Sequence, residues 1–229
     1  METGYLASTI TFIFKGAITT ILIWAVTMLG SIPISILLSF LYPLKIKALN
    51  AILALYTSMI RGTPLLFQLF FVYFGLPILF DITLSSFLSA GITFINSWVA
   101  YITEIIRGGL ESIDKGQFDA AKVLGFNYFQ MMTRIIFPQV ISRILPAITN
   151  QSIEIIYCTA LLSTIGISDL LRNTKSLVIR DLNITPFLIA GIIYFVFNSL
   201  QISIFRRIEY KFNKYKYGNS KDPKDLKKI

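Results

Sequence analysis

The side chains able to do chemistry in this sequence are few, and they stand inside or at the edges of apolar runs. Glu154 interrupts residues 144–168, which are otherwise uncharged. Glu104 and Arg107 close an uncharged stretch at 82–103, and Arg61 opens another at 62–80. An ionisable group at the centre of a bilayer costs at least ~2.5–3.5 kcal/mol, so it faces a partner or a polar cavity. Glu104 and Arg107 are three apart and can pair on one helix face. Glu154 is isolated and could hold the ammonium of a cationic or zwitterionic solute, or bond a neighbouring helix. Gln68, Asn150, Gln151 and Thr159 are uncharged groups able to line the same path or to bond across helices. This is binding chemistry. The sequence has no histidine and one cysteine, Cys158, which excludes an imidazole base, an intrachain disulfide and a CxxC site. No GxxxxGK[ST] run is present to cradle ATP. Neither covalent catalysis nor a metal site is expected, and the chain is not expected to be an enzyme.

The elements that must position these residues follow from composition. Of 229 residues 55% are hydrophobic and only 14% charged, with a mean hydropathy of +0.69. Soluble domains carry about 25% charged residues. Uncharged runs occupy 16–44, 62–80, 82–103 and 182–205, and 144–168 is broken only by Glu154. Each is long enough for a helix across the ~30 Å hydrocarbon core. The expected fold is an all-α membrane protein of about five transmembrane helices. Gly30 and Pro33 are placed to kink the first. Residues 48–60 are short for a span and read as an interfacial helix or the lead-in to the second.

Orientation comes from the cations. With five spans and the C-terminus inside, 17 Lys and Arg fall on the inner side and 4 on the outer, so the N-terminus is expected outside. Arg61 is expected to reach the inner headgroups. The net charge of +9 is concentrated in the tail, where residues 206–229 hold nine cations and three acids. A basic tail directly after an apolar segment suits an anionic leaflet, so the lipid bilayer and not nucleic acid is the expected partner.

Residues 107–143 are too polar to span and too long for a turn, and they are expected to hold one or two short helices on the inner side. They contain Asp119-Ala120-Ala121, three residues, Gly125, nine residues, then Ile135-Ile136-Phe137-Pro138. The small side chains at 120 and 121 let a partner approach. Asp119 is expected to cap a helix, Gly125 to turn the chain at positive φ, and Pro138 to end the element before the next span.

This pattern resembles the EAA coupling loop of ABC importer membrane subunits, with Asp for Glu at 119 and Phe for Leu at 137. Gly116-Gln117 and Pro138-Gln139 at its edges match as well. Arg61-Gly62-Thr63-Pro64, continuing to Gly75-Leu76-Pro77, and Ala100-Tyr101-Ile102-Thr103-Glu104 are similar to segments of polar amino acid permeases of the histidine/glutamine type. The resemblance covers residues 16–210. It departs at Tyr157-Cys158, where family members commonly have Lys-Asp.

The resemblance implies a type I ABC importer permease domain over 16–206, with the coupling loop at 107–143 and a basic cytoplasmic tail at 207–229. It implies ATP-driven uptake of a polar amino acid by alternating access, in a bacterial inner membrane. The coupling residues carried over are Gly116, Gln117, Asp119, Ala120, Ala121, Gly125, Ile135 and Pro138. The implied partners are a cytoplasmic ABC ATPase, which would bind ATP and Mg on its own chain, an extracytoplasmic amino-acid-binding protein, and a second permease chain, identical or homologous. The alternatives are a secondary transporter driven by an ion gradient, or a non-transporting membrane anchor. The first would show paired internal repeats, which this sequence lacks.

Overall fold

The computed structural model describes residues 2–44 and 46–213. The tail from 214 onward, with most of its cations, lies outside the described residues. Among the described residues ten α-helices follow one another: α1 (Glu2–Ser39), α2 (Lys47–Arg61), α3 (Leu65–Phe70), α4 (Leu76–Phe80), α5 (Ser86–Glu111), α6 (Lys115–Val123), α7 (Tyr128–Met131), α8 (Phe137–Cys158), α9 (Leu170–Asp181) and α10 (Thr185–Asn213). Wide π-turns join α3 to α4 and α7 to α8, and a 3₁₀ turn over Thr159–Ile165 continues α8.

The helix α5 is the centre of the bundle, packed on by α1, α2, α3 and α8. The reason is a stripe at every fourth position, Ala90, Phe94, Trp98, Ile102, Ile106 and Leu110, all buried. Such spacing keeps side chains on one helical face. Val140, Ile144, Ile148 and Ile155 of α8 belong to the same core. On α1 a second stripe, Thr27, Ser31, Ser35 and Ser39, is fully buried. These small side chains let backbones come close, and the Ser35 hydroxyl donates to the Val99 carbonyl of α5 at 3.1 Å. Outward-facing Leu29 and Leu37 of α1, Ile78 of α4 and Phe195 of α10 are more than 60% exposed. An apolar surface of this extent suits lipid and not water.

Among the described residues three helices are long and apolar enough to cross a membrane, or four if α2 and α3–α4, bent by 96°, form one broken span. The third expected span is α5, which is long enough but more polar. Being enclosed by other helices, it does not need an apolar circumference. The expected boundaries shift with it. α1 starts at Glu2, so Lys15 lies within the helix. α5 runs eight residues past Thr103 and takes in Glu104, Arg107 and Glu111. Gly30 and Pro33 do not break α1; a Cβ at Gly30 would stand 2.8 Å from the Ile95 side chain of α5, so this glycine serves close approach. Residues 170–181, expected as an outer connection, form α9, whose N-cap Asp169 accepts from the Leu171 and Arg172 N–H groups. Burial raises the Asp169 carboxyl above its usual range, while those N–H groups pull it down.

Two ends are thereby defined. At one, the Tyr128 hydroxyl of α7 donates to the Phe40 carbonyl at the end of α1, at 2.5 Å. At the other, the Asn173 amide of α9 donates to the Phe12 carbonyl near the start of α1, at 2.9 Å. The α6–α7 loop and α9 are therefore on opposite ends of the bundle.

Candidate functional site

The loop between α5 and α8 is a mounted structure and not a linker. Asp114 caps α6, its carboxylate accepting from the Gly116 N–H at 2.7 Å. Asp119 does not cap a helix, contrary to expectation, because α6 begins four residues earlier; it sits in mid-helix and pairs with Lys122 at 3.6 Å. Ala121 is buried against the core while Ala120 faces outward. α6 ends at Gly125, with φ of +76°. There the Phe126 N–H bonds the Ala121 carbonyl and the Gly125 N–H the Lys122 carbonyl, the paired bonds of a left-handed helix stop. α7 then starts with a capping box between Asn127 and Gln130.

Besides the Tyr128–Phe40 hydrogen bond, further ties hold this loop to the bundle. The Gln139 amide donates to the Gln117 side chain at 3.3 Å. The Arg143 guanidinium donates to the Ser112 carbonyl and hydroxyl. Phe137 stacks on Phe40 of α1 with ring centres 4.6 Å apart. Pro138 does not end an element. It lies in the first turn of α8, just after the π-turn at Met132–Ile136, which contains Ile135. That wide turn takes up the irregularity of a proline within a continuing helix. Three large apolar side chains that sequence reasoning passed over, Val123, Leu124 and Phe129, are 87%, 72% and 68% exposed on this loop. Their signal was three large apolar residues set in a polar loop.

The ionisable groups form a chain along α5. Glu104 takes two hydrogen bonds from Arg107, at 2.9 and 2.7 Å, and Arg107 reaches Glu111 at 2.5 Å. Arg61, expected at the headgroups, pairs with Glu104 at 3.5 Å, its guanidinium 5.7 Å from the centre of the Tyr101 ring. An opposite charge and an aromatic face are both favourable partners for a guanidinium.

Four of the expected path residues meet. Gln68 of α3 and Asn150, Gln151 and Glu154 of α8 line one cavity of about 250 Å³. Thr63, Leu65, Ser97, Trp98, Tyr101 and Cys158 complete it. Glu154 is the one charged group among these lining residues; its carboxylate is 3.9 Å from the Cys158 sulfur. Gln68 is fixed by donating to the Ile60 carbonyl at 2.8 Å and accepting from the Ser97 hydroxyl at 2.5 Å, which ties the α2–α3 elbow to α5. Thr159 is absent from the cavity: it is fully buried and donates to the Ile156 carbonyl. Arg61, Glu104 and Arg107 lie beside the cavity and do not line it. Of the departure at 157–158, Cys158 is on the cavity wall, while the Tyr157 hydroxyl accepts from Asn198 of α10. A second cavity of about 530 Å³ lies toward the loop, bounded by Tyr42, Arg107, Glu111, Lys115, Asp119 and Lys122 among others.

Comparison with known proteins decides what this geometry belongs to. The pattern of binding-protein-dependent transport system inner membrane components matches residues 31–214. The chain belongs to that family. It is 36% identical over 203 residues to a putative glutamine transport system permease of Rickettsia bellii, covering 88% of this chain and 93% of the relative. The arginine transport system permease ArtQ of Bacillus subtilis gives the same identity and coverage. The fold matches a crystal structure of an amino acid ABC transporter with histidines, with a TM-score of 0.79 and 28% identity, over 90% of this chain and 97% of that one. The MetNI methionine ABC transporter shares the fold at a TM-score of 0.67 and 14% identity. The protein is thus the membrane permease component of a binding-protein-dependent transport system, similar to those of amino acid ABC transporters.

Proposed function

We propose that this permease moves a neutral or cationic polar amino acid inward across a bacterial cell membrane, and that the cavity around Glu154 is part of its path. The observation carrying this reading is that α3 and α8 bring Gln68, Asn150, Gln151 and Glu154 together, against Ser97, Trp98 and Tyr101 of α5, around one acid with no cation in the lining. A single carboxylate favours a ligand bearing an ammonium and disfavours an acidic side chain. The glutamine and arginine named for the relatives fit that charge preference. Glu154 and Asn150 are exposed in the single chain, so a second permease chain, identical or homologous, is the natural wall for the open side.

The loop 115–138 is the surface for a cytoplasmic ABC ATPase. Val123, Leu124 and Phe129 supply its apolar contact, and Asp119 and Lys122 its polar rim. Because Gly125, the Asn127 cap and the Phe40–Phe137 stack fix the loop to α1 and α8, movement of the ATPase is transmitted to the helices that line the cavity. The ATPase shifts the equilibrium only by as much as it binds one permease state better than the other. ATP and Mg bind on that partner. The end bearing α9 faces outward and receives the amino-acid-binding protein, with the N-terminus on the same side. The test is uptake by the permease–ATPase complex in proteoliposomes, with ATP at the ATPase face and binding protein at the other. Glutamine, arginine and glutamate compete for entry. Uptake blocked by glutamate as well as by the other two would overturn the charge reading.

A further inference from the structure

The molecule contains two tryptophans, and their ring nitrogens are treated differently. Trp24 Nε1 donates to the Ser152 hydroxyl at 2.9 Å, and Ser152 in turn donates to Gln201. Trp98 Nε1 is buried and has no acceptor among the described residues. Trp98 itself is 2% exposed and lines the cavity of Glu154. Its ring is held flat against Phe94, centres 5.4 Å apart, and tilted against Tyr101 at 6.4 Å. A buried N–H left without an acceptor is destabilising, and native proteins rarely keep one without a reason.

An inventory of the cavity supplies a reason. An amino acid brings an ammonium, which Glu154 can take, and a carboxylate, for which no cation lines the wall. The carboxylate must therefore be met by neutral donors. The Gln68 amide is committed to the Ile60 and Thr63 carbonyls, the Ser97 hydroxyl to Gln68, and the Thr63 hydroxyl to the Met59 carbonyl. That leaves Tyr101, Asn150, Gln151 and Trp98. Asn150 is exposed, and Tyr101 and Gln151 are partly so; water serves them when the cavity is empty. Trp98 is the buried one, so a ligand acceptor gives it a bond that water does not. Rigid mounting between Phe94 and Tyr101 means little freedom is lost when that bond forms.

We propose that Trp98 is a specificity residue, whose Nε1–H receives the carboxylate of the transported amino acid while Glu154 receives its ammonium. This rests on the reading that the cavity is on the path. The nitrogen itself is buried. The lining also includes Thr63, Leu65 and Gln68 of the elbow between α2 and α3, so the proposal requires that elbow to move for the carboxylate to reach Nε1.

Trp98→Phe removes the N–H and keeps the ring. In the reconstituted permease–ATPase complex, uptake of labelled L-arginine and L-glutamine is measured, with agmatine, the decarboxylated form of arginine, as competitor. Loss of one charge-assisted hydrogen bond should raise the KM of the transported amino acid about tenfold or more with kcat little changed. The advantage of arginine over agmatine as a competitor should shrink by the same factor. An unchanged KM and preference in Trp98→Phe, beside an impaired Glu154→Gln, would confine Trp98 to packing. Unchanged KM in both variants would remove the cavity from the path and the proposal with it. A second readout does not depend on the Phe variant folding. In Trp24→Phe, Trp98 is the sole tryptophan of the permease. Its emission, recorded as the difference from the Trp24→Phe/Trp98→Phe complex under the same conditions, should change on saturation with the transported amino acid and not with agmatine. Equal responses to both, or none to either, overturn the assignment.

Discussion

The Arg61 guanidinium stands 3.5 Å from the Glu104 carboxylate, joining the end of α2 to the C-terminal half of α5. Tyr101, one turn before Glu104, lines the smaller cavity, and Arg107, one turn after, lines the larger. The pair therefore lies between the two spaces along α5. Glu104→Gln removes the negative charge that both Arg61 and Arg107 pair with, while Arg107 keeps Glu111. All three groups are a quarter to two-fifths exposed, so the effect on stability should be small. The expected change is in coupling: ATP hydrolysis without the binding protein should rise relative to hydrolysis with it, and KM should hold. An unchanged ratio in the reconstituted complex would make the pair a structural tie alone.

Glu154→Gln should behave differently. It keeps shape and removes the sole charge of the cavity lining. Uptake of a cationic amino acid should fall by about tenfold or more, because a charge-assisted bond becomes a neutral one. Glutamate should compete better in the variant than in the parent. Initial rates across a concentration series, normalised to protein in the membrane, give the comparison. Parent kinetics in this variant would return Glu154 to a purely structural role.

What the sequence made legible follows from local rules. Asn150, Gln151 and Glu154 are spaced to share a face of one helix, and they interrupt an apolar run, so their common destination was readable. Gly125 was readable because few residues other than glycine tolerate its φ. Thr159 stands five residues past Glu154, about 140° round an α-helix, on the side of the buried Ser152 and Ile155, so the helical period itself turns it into the core. Other features depended on neighbours. Asp119 was assigned the cap that Asp114 makes, since the start of a short polar helix has no hydrophobic period to mark it. Trp98 and Tyr101 carried no signal of their own, because aromatic side chains in a membrane helix serve lipid, core and ligand equally well. The pairing of Arg61 required knowing that α2 ends opposite Glu104, which is a tertiary fact.

The orientation can be read by labelling. Lys175 lies on α9 and Ser86 begins α5, both at the end away from α6. Cysteines introduced there should react with a membrane-impermeant maleimide in intact cells. One at Lys115 should react only after permeabilisation. The unaltered chain, with Cys158 on the cavity wall, sets the background. Reaction at 115 and protection at 175 would invert the topology.

The loop offers the most direct test of the ATPase reading. Gly125 adopts φ of +76°, and a Cβ added there would meet no atom within 4 Å, so a substitution acts through the backbone and not by collision. Gly125→Val forces a β-branched residue into the left-handed region, a strain of about 1–3 kcal/mol, and should loosen the junction between α6 and α7. Gly125→Asn, which tolerates that region better, should be milder, and this ordering separates strain from loss of a small side chain. Asp119→Lys is a surface change: it discards the pairing with Lys122 and leaves three cations, at 115, 119 and 122, on α6. Leu124→Ser removes an apolar side chain that is 72% exposed and so costs the permease little. None of these positions lies in an apolar span, so membrane levels should match the parent. Pull-down of the ATPase should weaken in all of them except the Asn variant, and uptake should fall in step. If the Leu124 and Asp119 variants retained full ATPase binding and full transport, the exposed face of this loop would not be the docking surface, and the ATPase would have to engage the permease elsewhere on the same end of the bundle.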